Sequence, residues 1–172
     1  VIRFVVINGV AMPAGYQPHA TGDYSTMPDW IDKDIPVLSL LPFPLPFYSL
    51  PNDFQNNIGT ISPEIARKVF YHDLPEAKAD ELSALLEHQS LGVFFSKSTY
   101  AAWTDIPSTF LTSSDDKTPF GELNQVMINL CQQSVPSAFD VVEHCEGAGH
   151  CVMASFPEWT TDAIRRAAGE KF

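Results

Sequence analysis

The chain has 172 residues, 45% of them hydrophobic and 18% charged, which suits one globular domain with a sizeable core. Its net charge of −11, with only ten Lys and Arg and no basic cluster, excludes nucleic acid as an expected partner, because that recognition rests on neutralising phosphates. No apolar run is long enough and free enough of proline to span a bilayer, so no membrane partner is expected either.

"IRFVVINGVA" (2–11) is a short, continuous apolar run rich in Val and Ile, which predicts a strand buried on both faces. It starts almost at Val1, with no initiator Met and no lead-in turn, which reads as a processed chain or the back part of something longer. A Gly-, Pro- and Asp-rich segment follows to about residue 61, and the apolar stretch "IPVLSLLPFPLPFYSLP" (35–51) within it is expected to pack as an extended loop. Ser62-Pro63 then opens a helix with Ile65, Val69 and Phe70 on its apolar face, proline being tolerated in a first turn. Pro75 opens a second, in which Leu82, Leu85 and Leu86 share a face.

From residue 106 the pattern changes. "STFLTSS" is a strand ending in the acidic turn "DDKTP". "GELNQVMINLCQQ" reads as a helix with Leu123, Val126, Met127, Leu130 and Cys131 on one stripe, and "AFDVVEHC" (138–145) as a third strand. Ser155-x-x-Glu158 has the form of a capping box before a last helix whose inner face is Trp159, Ala163, Ile164 and Ala167. Strand, a long mostly helical insertion, then strand–helix–strand–helix predicts an α/β fold with a parallel sheet. Chemistry in such sheets gathers at the carboxyl ends of the strands, where Asp115, Asp116 and His150 all fall.

"HCEGAGHCVMASFPEW" (144–159) places His150 between a flexible turn and a helix start. A carboxylate that orients an imidazole makes it a better general base, and the acidic turn and the histidine loop on adjacent strands can supply that pair. Spacing alone leaves open that Asp116 only forms a turn and that His150 is a surface loop residue. A metal centre from His144, Cys145, His150 and Cys151 is not expected. His144 and Cys145 are neighbours in a strand and face opposite ways, and the spacing lacks the usual gap between paired ligands. The three cysteines are too few and scattered for a disulfide framework and read as small buried hydrophobes, with a reducing, cytoplasmic compartment as the default. His19, His72 and His88 have no partner pattern and are expected at surface or helix-end positions. Phe43, Phe47, Tyr48, Phe54 and Trp103 read either as walls of a substrate pocket or as plain packing. "NGVAMPAG" lacks the G-x-G-x-x-G of a dinucleotide-binding domain, so no such cofactor is expected.

"TYAAWTDIPSTFLTSSDDKTP" followed by "GAGHCVMASFPE" resembles the C-terminal half of α/β-hydrolases of the small esterase and hydroxynitrile-lyase-like branch, in particular fungal members. The opening strand and "GDYSTMPDW" resemble the sixth strand of that family and its exit into the cap. The resemblance implies three parallel edge strands with flanking helices, formed by residues 1–11 and 104–172, and a cap insertion over 12–103. It implies His150 as the catalytic histidine and Asp116 as the triad acid, with Asp115 the alternative because this turn is one residue shorter before Pro119. It further implies a small ester as substrate and no cofactor or metal. The serine nucleophile of the family sits in G-x-S-x-G, and no serine here has glycine at both flanking positions. The nucleophile half would then be a missing partner, and 1–172 alone is expected to be inactive. It would also leave the first strand with an unpaired edge that invites association.

Overall fold

The computed structural model describes residues 2–17, 58–59, 61–90, 92–135 and 138–171. The Pro-rich stretch 35–51, "GDYSTMPDW", His19, Phe43, Phe47, Tyr48 and Phe54 lie outside the described residues.

The first strand, β1 (Phe4–Ile7), is shorter than its apolar run because Asn8 turns the backbone into the left-handed region, φ 42°. Asparagine is one of the few residues that enters this region at modest cost. Only Val6 of the strand is buried, against the expectation of burial on both faces. Among the described residues β1 has a neighbouring strand on one side only, and Ile2 just before it is exposed.

A helical region follows. The two-residue strands β2 (Ile58–Gly59) and β3 (Gln89–Ser90) pair antiparallel and bracket α1 (Pro63–Val69) and α2 (Glu76–Ala84). The Ser62 hydroxyl caps α1 by accepting the Ile65 N–H, as its sequence suggested. Around Ala66, Tyr71 and Ala79 the two helices build an apolar cluster of their own, against which Phe70, Leu82 and Cys151 pack. Leu85 and Leu86 do not join it. α2 ends at Ala84, so both leucines leave the helical face and stand in solvent. After α3 (Gly92–Phe95) and a 3₁₀ turn at Ala102–Thr104, β4 (Ser108–Ser113) returns to the sheet. α4 (Pro119–Ser134), β5 (Val141–Cys145), α5 (Val152–Ser155) and α6 (Pro157–Ala167) complete the chain.

The sheet is parallel, in the order β1-β4-β5, with Phe4 opposite Ser108 and Thr109 opposite Val141. β4 is central, and Ser108, Thr109, Phe110 and Leu111 are almost wholly buried. On one face Val6 and Phe110 meet Ile128 and Cys131 of α4, together with Trp103 and Phe139. On the other, Ile7 and Cys145 meet Val152, Phe156 and Trp159 from the α5–α6 end. Each large apolar side chain so buried contributes about 1.5–3 kcal/mol. Trp103 is therefore core, its ring 6.2 Å from that of Phe139. Phe139 itself holds a strained φ of 49°, offset by burial of its ring edge-on to Phe110 at 5.1 Å.

Asp140 ties the amino ends of the strands. It accepts two bonds from the Arg3 guanidinium, at 2.7 and 2.9 Å, and one from the Ser108 N–H at 3.1 Å. The Arg3 contact, more than any other, holds its carboxyl below the ordinary carboxylate value.

Candidate active site

The carboxyl ends of all three parallel strands converge on one place. β4 runs into the acidic turn 114–118, β5 into the loop 146–151, and β1 into Asn8. The Asp116 side chain is fully buried, and its Oδ2 lies 2.9 Å from His150 Nδ1. Its Oδ1 accepts the Thr118 N–H at 2.9 Å. Both carboxylate oxygens are thus engaged, which offsets the cost of burying the charge. The pairing makes Nδ1 the donor and leaves the Nε2 lone pair free to accept a proton. No described residue bonds Nε2. The rings of Phe70 and Phe120 flank the imidazole at 5.3 and 6.3 Å, each within about 31° of parallel.

Asp116 is held from both sides. Thr118 caps α4, its hydroxyl accepting the Phe120 N–H at 3.2 Å, so the acidic turn leads straight into a rigid helix. A Cβ on Gly121 would come within 2.5 Å of the Asp116 carbonyl oxygen, so only glycine lets the first turn of α4 lie this close to the acid.

Asp115 turns the other way. Its Oδ2 lies 3.1 Å from His72 Nε2, and Oδ1 accepts a bond from Lys117. Lys117 first, then His72, holds the Asp115 carboxyl below its ordinary value. Of the two neighbouring acids, Asp116 is the one on His150.

Three residues of this neighbourhood escaped sequence reading. His72, expected at a surface or helix end without a partner, is mostly buried against the acidic turn, because the α1–α2 corner folds down onto it. Next to it, Asp73 Oδ2 accepts the Gly149 N–H at 2.6 Å. Asn8, 2% exposed, donates through Nδ2 to Ser113 Oγ at 2.7 Å and to the His150 carbonyl at 2.8 Å. The only hint of Asn8 was the Asn-Gly pair after an apolar strand, which marks a turn but not its partners.

The remaining candidates lie apart from the pair. His144 is half-exposed and its Nδ1 is 2.8 Å from the Thr112 hydroxyl, while Cys145 beside it is buried. His88 is exposed. Among the described residues no three His, Cys, Asp or Glu side chains converge as a metal site. Cys151 packs beneath the helical pair, and burial first, then the Asp73 and Asp116 charges, pushes its thiol up to about 11.

Comparison with known proteins agrees with this architecture. A family model described as the alpha/beta hydrolase family matches residues 1–163. Alpha/beta hydrolase nvfD of Aspergillus novofumigatus (strain IBT 16806) is 32% identical over 116 residues, an alignment spanning 67% of this chain and 44% of that protein. The crystal structure of a methylesterase protein, MES16, from Arabidopsis superposes with a TM-score of 0.50 at 18% identity, over 66% of this chain and 47% of that one. At that identity the likeness speaks to the fold alone. The chain spans less than half the length of either relative.

Proposed function

The chain belongs to the α/β hydrolase family, and from that premise we propose that it supplies the acid and the histidine of a serine hydrolase acting on small carboxylic esters. The observation that carries this reading is the buried Asp116 carboxylate 2.9 Å from His150 Nδ1, at the carboxyl ends of adjacent parallel strands. His150 Nε2 takes the proton of a serine hydroxyl as its oxygen attacks the ester carbonyl. Asp116 fixes the tautomer and balances the imidazolium. The same proton passes to the departing alcohol, and a water molecule repeats the sequence on the acyl-enzyme to release the acid. The serine comes from outside these 172 residues, since none of the serines here stands in G-x-S-x-G. Residues 12–103 act as a cap that shapes the substrate pocket, a role supported by the separate apolar cluster of α1 and α2.

The test is hydrolysis of 4-nitrophenyl acetate and labelling by a fluorophosphonate, both on the protein as the cell makes it. Asp116→Asn and His150→Ala are each expected to lower kcat by about 10⁴-fold. Normal turnover in either variant rules out the assignment. The missing G-x-S-x-G favours one second reading, a binding module that keeps the cap pocket without chemistry. Absence of any fluorophosphonate adduct on the whole protein is the result that selects it.

A further inference from the structure

We infer that Asp73, at the corner between α1 and α2, is a positioning residue for His150. This deepens the hydrolase reading and rests on it. Two hydrogen bonds bracket the Gly149–His150 dipeptide. On the amino side the Gly149 N–H donates to Asp73 Oδ2 at 2.6 Å, and on the carboxyl side the His150 carbonyl accepts from Asn8 at 2.8 Å. Together they fix the backbone that carries the imidazole, while Asp116 and the two flanking phenylalanines set the ring. The contact is flush. A Cβ at position 149 would stand 2.9 Å from Asp73 Oδ1 and 2.7 Å from His72 Cε1, so the corner and the histidine loop meet with no room for a side chain between them.

Two further observations bear on the role. Asp73 Oδ1 is buried with no hydrogen-bond partner among the described residues, a costly arrangement that a merely structural corner would avoid with a smaller or apolar residue. The preceding residue, His72, reaches the acidic turn through Asp115. Adjacent residues of one corner therefore grip the loop of the base and the loop of the acid. Displacing a catalytic group by about 1 Å costs on the order of 100-fold in rate, so the Asp73 bond acts on chemistry without Asp73 touching the substrate.

The experiment compares Asp73→Ala and Asp73→Asn in the intact protein. In Asp73→Ala the Gly149 amide is expected to exchange with solvent about 10-fold faster or more while the β4 amides keep their protection. The downfield imidazole proton shared by His150 and Asp116 should weaken in parallel. With 4-nitrophenyl acetate, kcat should fall about 100-fold with KM nearly unchanged. Asp73→Asn keeps an oxygen for the same N–H and should restore all three. A folded Asp73→Ala protein with unchanged Gly149 exchange and an unchanged imidazole proton overturns the proposal. If Asp73→Ala does not fold, scalar coupling across the hydrogen bond between Gly149 nitrogen and the Asp73 carboxyl carbon, measured in the unsubstituted protein, decides it: presence supports the bond and absence overturns it. A protein that hydrolyses no ester refutes the hydrolase reading, while the exchange and imidazole measurements still decide the part played by Asp73.

Discussion

At the scale of single residues, what could be read from the chain depended on how far each side chain reaches. Asp116 and His150 lie 34 positions apart around one strand–helix–strand unit, so strand ends placed both at one edge of the sheet, while their choice as a pair came from the family resemblance. His72 finds Asp115 across 43 positions and Asp73 finds Gly149 across 76, from a helical corner whose docking no local pattern encodes. Cys151 packs against the helical cluster, and its surroundings carry a pH prediction. Its thiol stands at about 11 in the fold against an ordinary 9.0, so the unfolded chain loses this proton first as pH rises. Ionisation of Cys151 therefore weakens the fold between about pH 9 and 11 and has no effect well below that window. At pH 8 the native protein should expose about 100-fold less thiolate here than the unfolded chain, and alkylation of Cys151 by iodoacetamide should slow accordingly. Equal alkylation rates with and without urea would contradict this picture of the site.

At the scale of elements, periodicity found β1, α1, α2, β4, α4, β5 and α6 but not the short β2, β3, α3 and α5, and two helices face partly differently from expectation. Of the expected α4 stripe, Leu123, Val126 and Leu130 are half-exposed and Cys131 is buried, and the face turned inward is Asn124, Ile128 and Cys131. Hydropathy points the helix by its leucines, whereas its start at Thr118 and the close approach at Gly121 set its rotation. At the start of α6 the capping box does not form. Pro157 occupies the first turn, Phe156 stands at the cap position, and the Ser155 hydroxyl is buried with no partner among the described residues. The inner face of α6 is Thr160 and Ala163, with Trp159 also packed inward as expected, while Ile164 is half-exposed. These caps separate in a urea titration. Thr118→Ala should cost about 1 kcal/mol, whereas Ser155→Ala should lie within about 0.5 kcal/mol of the parent or above it, because it removes an unsatisfied hydroxyl. A loss of a full kcal/mol on Ser155→Ala would restore the capping box.

At the scale of the whole molecule, the three strands are tied at both ends, by Arg3 and Asp140 at the amino side and by Asn8 at the carboxyl side. The parallel sheet followed from the alternation of strand and helix, and the arrangement of its strands from the family resemblance. The ties did not, because each joins segments more than a hundred positions apart. That separation has a consequence in time. Closing the chain from Asn8 to His150 spans 142 positions, and the acid–histidine pair only 34. Contacts distant along the chain must wait for larger loops to close, and they tend to form late. A refolding chain should therefore bring Asp116 to His150 within its β4–α4–β5 unit before Asn8 and Asp73 lock the histidine loop. Pulsed hydrogen exchange during refolding should protect the β4 and β5 amides first and the Gly149 amide afterwards, and simultaneous protection would refute that order. The histidine would then spend part of every folding event paired but unanchored, a base with a partner and no fixed address.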